Sequence, residues 1–317
     1  MLSGPTRQVA CPSASVPATH SAPAVSVIVP TYRHEGFIDE TLASVFAQTF
    51  RDFEVIVVND GSPDQTTARL RPWIDAGKIR YYEQANAGQS SARNAGLRLA
   101  RGNFVALLDD DDVWPANKLE WQVERLRSQP QAVVTYGYAR GFGSNQAFRN
   151  PEKLGESGRI KEILLRRNII MSPGQALVRA KDLAAIGGFD EKIRGADDWD
   201  LWLRLADRGS YDYVDRCALR YRVHAKNASA DSRYMFGALI RVLHKHLGLT
   251  PLSSNGVAWL QCRRFVGRLT ATPELDRARS ASRSGQRSEV YRHLLRAVRY
   301  DPPLIGSSRL WNILLEN

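Results

Sequence analysis

Three apolar, β-branched runs, each opening directly onto polar residues, constrain the fold of this chain more than any other feature. Val25-Ser26-Val27-Ile28-Val29 leads into Pro30-Thr31-Tyr32, and Phe53 to Val58 leads into Asn59-Asp60-Gly61-Ser62. Phe104 to Leu108 leads into four consecutive aspartates, Asp109 to Asp112. Near-continuous apolar runs of this length suit strands buried on both faces. Between them lie segments with helical spacing. Ile38, Leu42, Val45 and Phe46 share one face; Ser90 to Arg101 is a helix with Gly102 as its expected C-cap. Pro115 is expected at N1 of a helix carrying Leu119, Val123 and Leu126. Ile79 to Tyr82 and Val133 to Tyr136 add shorter strands. This alternation predicts an α/β domain on a parallel sheet, and such sheets bind ligands outside the carboxyl ends of their strands. The loops after Val29, Val58 and Leu108 should therefore line one crevice.

Composition fits such a domain. With 317 residues, 43% apolar and 24% charged, the chain has room for one large domain or two small ones, and collagen-like or mostly disordered readings are excluded. Cys11, Cys217 and Cys262 have no metal-ligand spacing and are odd in number, which favours a reducing cytoplasm over a disulfide framework. There is no apolar run long enough for a transmembrane helix and no secretory signal pattern at the start. The net charge of +11 is uneven: +9 falls in residues 232–317 and +2 in the rest. A nearly neutral body with a basic tail differs from a uniformly basic nucleic-acid binder.

Residues 1–23, rich in Ser, Pro, Ala and Thr, read as a disordered lead. Residues 24–231 read as the α/β domain and 232–317 as a basic helical region. Arg140 to Gly158 reads as a mobile loop, Lys181 to Ala185 as a short helix and Asp198 to Arg208 as a longer one. In the tail, 234–247 and 288–299 read as amphipathic helices, with a polar Arg/Ser stretch at 277–288 between them. Their apolar faces include Leu239, Val242, Leu243, Leu294, Leu295 and Val298.

The polar loops suggest chemistry. Adjacent carboxylates repel unless a cation sits among them. If the strand pleat continues, Asp109 and Asp111 share a side and Asp110 points away. Two carboxylates facing one ion suit Mg²⁺ or Mn²⁺, although a solvated acidic loop has the same composition. Asp60 is either a turn residue or an acceptor in the crevice. Asp197-Asp198-Trp199-Asp200 opens a helix; the carboxylates there either cap it or push one pKa toward that of a base. Arg93 and His224 would be ordinary surface or structural residues without this context.

In order along the chain, Val-Ser-Val-Ile-Val-Pro-Thr-Tyr (25–32), Val-Val-Asn-Asp-Gly-Ser (57–62), Ser-Ala-Arg-Asn-Ala-Gly (91–96) and Leu-Leu-Asp-Asp-Asp-Asp (107–112) precede Gly-Gly-Phe-Asp and Asp-Asp-Trp-Asp-Leu-Trp-Leu-Arg (187–204). This series resembles the inverting family 2 glycosyltransferases of GT-A fold, over residues 24–226. The resemblance implies a Rossmann-like, mostly parallel sheet flanked by helices, a nucleotide-sugar donor (UDP- or dTDP-linked) and Mn²⁺ or Mg²⁺. By matching position it implies nucleoside contacts at Pro30, Thr31, Tyr32, Glu35 and Asp60, and a donor-side arginine at Arg93. It implies substrate contacts at Asp109, Asp110, Asp197 and Trp199, a general base at Asp198, and metal contacts at Asp111 and His224. Two residues depart from the family pattern: Arg33 stands where Asn is common, and Asp197 where Glu is common.

The implied role is sugar transfer to a glycan or lipid-linked acceptor in bacterial surface polysaccharide or glycolipid assembly. The basic tail is then expected to meet an anionic membrane surface at the inner face of the cell membrane, or to form a homodimer contact. The rival functions are a nucleotide-sugar-binding module without turnover, nucleic-acid binding by the tail and a dinucleotide-dependent oxidoreductase. The last lacks Gly-x-Gly-x-x-Gly after the first strand.

Overall fold

The computed structural model describes residues 22–143, 155–224, 227, 231–249 and 255–315. The chain divides into two units: a sheet unit from the residues up to 161 plus 169–224, and a helical unit from 162–168 plus 225–317. Most of the expected disordered lead and most of the expected mobile loop fall outside the described residues.

The sheet unit has seven strands: β1 Val25–Thr31, β2 Phe53–Asn59, β3 Arg80–Glu83, β4 Phe104–Leu107, β5 Ala132–Gly143, β6 Ala176–Arg179 and β7 Ser210–Val223. Their order across the sheet is β3-β2-β1-β4-β6-β5-β7. The β1–β2, β2–β3, β1–β4 and β5–β7 pairs are parallel. β6 runs antiparallel to both β4 and β5, so the sheet is mostly parallel, as expected, with one antiparallel strand. Strand β5 continues through Arg140 to Gly143, four residues expected to be loop.

Helices α1 Ile38–Phe46, α2 Thr66–Asp75, α3 Gln89–Leu99 and α4 Lys118–Ser128 connect the first strands. α5 is Lys161–Arg166, α6 Ala180–Ala185 and α7 Asp197–Leu205. Two punctuation residues act differently from expectation. Gly102 does not cap α3, which ends at Ala100; it lies against β1, where a Cβ would come within 2.6 Å of the Ser26 nitrogen. Pro115 precedes α4 by a turn rather than opening it.

All seven residues of β1 are buried, and its side chains join Ile38, Leu42, Val45, Leu119, Val123 and Leu126 in the main core. Truncating one such aliphatic side chain to Ala costs ~2–5 kcal/mol. This core fixes the register that matters for function. Thr31 pairs with Asn59, the Asp60 N–H donates to the Thr31 carbonyl, and Leu107 pairs with Ile28. The three polar loops therefore emerge side by side from adjacent strand ends, as the sequence predicted.

The helical unit contains α8 Ser232–Leu247, α9 Gly256–Arg283, α10 Arg287–Tyr300 and α11 Ser308–Leu315. Helix α9 occupies much of the interval expected to be a polar linker. Ala271, Leu275 and Ala278 of α9 pack on Val290, Leu294 and Ala297 of α10 and on Leu310 and Ile313 of α11. Inside this unit Glu274, 2% exposed, accepts from Arg277 Nη1 and pairs with His293 Nδ1, both at 2.6 Å.

Candidate active site

The four aspartates after β4 take four different partners. The chain leaves the strand in a turn closed by the Asp112 N–H donating to the Asp109 carbonyl at 3.1 Å. The strand pleat therefore does not continue through the acidic run, and Asp109 and Asp111, expected to face one ion, take different hydrogen-bond partners. Asp109 Oδ1 accepts from Arg93 Nη2 at 2.6 Å and Gln89 Nε2 at 3.1 Å. Asp110 accepts from the Tyr32 N–H at 3.1 Å through Oδ2 and pairs with His34 Nδ1 at 2.6 Å through Oδ1. Asp111 Oδ2 meets His224 Nε2 at 3.0 Å. Asp112, buried, accepts from the Arg222 N–H at 2.8 Å, and its other oxygen has no hydrogen bond.

Surrounding side chains hold this turn. The Thr41 hydroxyl lies within 2.9 Å of both the Asp110 and Asp112 carbonyls, and Arg222 Nε donates to the Asp111 carbonyl at 2.7 Å. Burial, together with the charges of Asp110 and Asp109, pushes the Asp111 carboxyl up to about 6. Burial and the charges of Asp111 and Asp109 also raise Asp112. A cation at Asp111 would relieve this repulsion. The residues present fit one: His34, Asp111 and His224 each offer a ligand atom, and these atoms lie within 4.8 Å of one another.

A second acidic group opens α7. Asp197, buried, accepts from Ser90 Oγ at 2.9 Å and Arg93 Nη1 at 2.8 Å. Arg93 is 2% exposed and bridges Asp197 to Asp109. Its burial disfavours the charge, but the two carboxylates outweigh that and raise its pKa. Asp198 is half-buried and accepts from the Trp199 N–H at 2.7 Å. Burial, then the neighbouring Asp197 charge, pushes Asp198 up to about 8 despite the opposing influence of Arg93. That value lies in the working range of a general base near neutral pH.

The residues expected to contact a nucleoside lie at and just beyond the ends of β1 and β2. The Thr31 hydroxyl is buried and has no hydrogen-bond partner. Tyr32 is exposed, with the Arg33 guanidinium 5.0 Å from its ring centre. Glu35 accepts from the Gln65 N–H at 2.7 Å. Asp60, 3% exposed, accepts from Gln84 Nε2 and from the Ala87 and Gly88 N–H groups, all within 2.9 Å. It thus orders the approach to α3. Pro30 is buried within β1, and Trp199 is 1% exposed in the core. Both were expected among the substrate contacts, and both are buried, as Thr31 and Asp60 are.

Sequence reasoning missed His34, Thr41, Ser90 and Arg222. His34 could have been found, since it lies in the loop after β1, which was expected to line the crevice. The other three come from a helix face or a distant strand, and only the fold brings them near.

The family model described as "Glycosyl transferase family 2" matches residues 26–187. The chain belongs to this family. A glycosyltransferase of the family's kind named as putative in teichuronic acid biosynthesis, TuaG of Bacillus subtilis, is 30% identical over 67% of this chain and 84% of its own length. Chondroitin synthase of Escherichia coli is 27% identical over 65% of this chain, and over 30% of its own length. Against two uncharacterised glycosyltransferases of Rickettsia felis and Rickettsia bellii the chain spans only 35% and 38% of the relative's length. Among solved structures, the mannosyltransferase PcManGT of Pyrobaculum calidifontis, in complex with GDP-Man and Mn²⁺, aligns over 93% of this chain and 86% of its own, with TM-score 0.59 and 19% identity. TarS 1–349 of S. aureus, in complex with UDP, aligns over 87% and 90%, with TM-score 0.54 and 19% identity. These neighbours share the GT-A glycosyltransferase fold with the chain.

Proposed function

We propose that this family 2 glycosyltransferase moves a sugar from a UDP- or dTDP-linked donor to an acceptor hydroxyl with inversion, in bacterial surface polysaccharide or glycolipid assembly. The observation that carries the reading is one buried guanidinium, Arg93, which bridges Asp109 and Asp197, the first residues of the two acidic segments that also carry the cation-fitting Asp111 and the base-range Asp198. Asp111 and His224 hold Mn²⁺ or Mg²⁺, which when bound supplies charge neutralisation for the departing nucleoside diphosphate. Thr31, Tyr32, Glu35 and Asp60 receive the nucleoside, the Thr31 hydroxyl gaining the partner it lacks. Arg93 sets the Asp109 and Asp197 carboxylates and adds positive charge on the donor side. Asp198 takes the acceptor hydroxyl proton as that oxygen bonds to the anomeric carbon and the bond to the diphosphate oxygen breaks on the opposite face. Asp197, committed to Ser90 and Arg93, positions the helix start that carries Asp198.

The test compares Asp198→Asn with Asp111→Ala. Base catalysis contributes ~10²–10⁴-fold, so Asp198→Asn should lose kcat by that order and keep donor affinity by calorimetry. Asp111→Ala should lose donor affinity as well. Normal turnover in Asp198→Asn would move the base to another group, with Asp197 next.

The helical unit supports a second proposal, attachment to an anionic membrane surface. A cleft of about 720 Å³ in this unit is lined by Arg166, Arg167, Arg264 and Arg268 beside Phe265 and Leu269. Guanidiniums around apolar side chains suit a phosphate headgroup and the start of its chains. Among the described residues no helix is long and apolar enough to cross a membrane.

A further inference from the structure

His34 has no assigned role, yet it is held as a metal ligand would be. Its Nδ1 lies 2.6 Å from Asp110 Oδ1, and the side chains are 21% and 8% exposed. A carboxylate accepts, so Nδ1 carries the proton and Nε2 keeps the lone pair. Histidine ligands commonly donate their second ring N–H to a carboxylate in this way. Asp110 is itself fixed, because its other oxygen accepts from the Tyr32 N–H.

The ring is also oriented by its neighbours. Phe37 stacks on His224 with centres 4.9 Å apart, and His34 meets both rings edge-on, at 5.8 Å and 5.9 Å. The ligand atoms of His34, Asp111 and His224 lie within 4.8 Å of one another. Ligand bonds of ~2.0–2.2 Å place any two ligand atoms of one ion no more than about 4.4 Å apart, so His34, Asp111 and His224 could hold a single ion with a small adjustment.

We propose that His34 is a direct ligand of the cation bound at Asp111 and His224, with Asp110 fixing its ring. We propose further that this second imidazole makes the site prefer first-row transition ions such as Mn²⁺ over Mg²⁺. The inference rests on the metal reading given under the proposed function and adds to it a ligand and a selectivity. Mg²⁺ keeps oxygen ligands and dehydrates reluctantly, whereas imidazole suits the transition ions. Two nitrogens and one carboxylate therefore disfavour Mg²⁺ relative to a site of carboxylates and water.

The experiment titrates the full chain with Mn²⁺ alone, followed by loss of the free-ion EPR signal, and repeats it with Mg²⁺ as competitor. Pulsed EPR on bound Mn²⁺ counts coordinated imidazole nitrogens. The unsubstituted chain should show two, which needs no variant and so does not depend on any variant folding. His34→Gln should show one, bind Mn²⁺ at least about tenfold more weakly and lose most of the preference over Mg²⁺. Asp110→Asn should weaken Mn²⁺ by about tenfold while retaining both nitrogens. A single imidazole in the unsubstituted chain would overturn the inference. So would a His34→Gln chain that binds Mn²⁺ as tightly as before while Asp111→Asn does not; that result leaves the metal reading standing and makes His34 a brace for the Tyr32 loop. Equal Mn²⁺ binding in Asp111→Asn and the unsubstituted chain would overturn the metal reading, and the inference with it.

Discussion

The sheet unit and the helical unit treat polar and apolar groups in opposite ways. The sheet unit buries Asp60, Asp110 and Asp112 in its strand-end loops and Arg93 and Asp197 on helices α3 and α7, and among its described residues only two large hydrophobics, Tyr32 and Met171, are exposed. The helical unit contains the other ten exposed large hydrophobics among the described residues, including Val257 at 71%, Leu260 at 53%, Leu295 at 72% and Leu315 at 82%. Buried charge without a full set of partners is costly, and proteins that keep it usually do so for chemistry. Exposed apolar surface interleaved with arginine instead marks a surface that meets something else. The proposed reading gives reaction to one unit and attachment to the other, and each half can be broken separately.

The largest expected effect is on rate as a function of pH. A base with its pKa near 8 is increasingly protonated below that value, so kcat/KM with a soluble acceptor should fall about tenfold per pH unit on the acid side. Ligand-free stability should move the other way. A carboxyl whose folded pKa is raised binds its proton more tightly when folded, so its contribution to stability is lost as pH rises toward and through 8. A profile with no acid limb near that value would remove Asp198 as the base. Substitutions in the helical unit should leave the profile unchanged.

A smaller effect is expected from charge reversal in the cleft. Arg264→Glu with Arg268→Glu should weaken binding to phosphatidylglycerol vesicles by roughly thirtyfold, read by co-sedimentation, since each of the two basic residues at such a surface contributes about 1 kcal/mol. Added salt should weaken binding of the unsubstituted chain, because screening acts within ~8 Å at physiological ionic strength. Turnover of a soluble acceptor should not change. Vesicle binding that is equal in both proteins would break the attachment half of the comparison.

The two units also differ in how much of them the sequence discloses. β1, β2 and β4 are evident because buried parallel strands need β-branched runs, and their polar ends mark the crevice without further information. The antiparallel β6 is only four residues long and carries no alternation, so nothing local reveals it. The acidic turn defeats a pleat argument because its hydrogen bond, from the Asp112 N–H to the Asp109 carbonyl, is a property of backbone geometry. In the helical unit the apolar spacing of α8 and α10 is legible but its destination is not. Leu239, Val242, Leu243 and Leu294 were expected to face a membrane and are instead buried, and Val298 packs on the interhelical core, leaving Leu295 on the surface. Helix α9 escapes notice because Arg263, Arg264 and Arg268 interrupt its apolar spacing and Pro273 lies inside it.

The smallest expected effect concerns Arg33. Among the described residues it is the single non-glycine with positive φ, at 62°. Its N–H donates to Ser62 Oγ at 3.2 Å, which ties the loop after β1 to the loop after β2. In this left-handed region the Cβ of most residues crowds the following carbonyl, and Asn tolerates it better than Arg. The Asn common at this place in the family resemblance therefore has a conformational reason. Arg33→Asn should stabilise the chain by ~0.5–1 kcal/mol, read as a rise in the denaturant midpoint at constant slope. It removes the guanidinium stacked on the Tyr32 ring, so donor affinity should be measured on the same protein. Higher stability with weaker donor binding would mean that strain in the sheet unit is retained for the nucleoside. Higher stability with unchanged binding would make Arg33 a local cost without a binding role. A fall in stability would show that the Arg33 stack on Tyr32 outweighs the backbone strain.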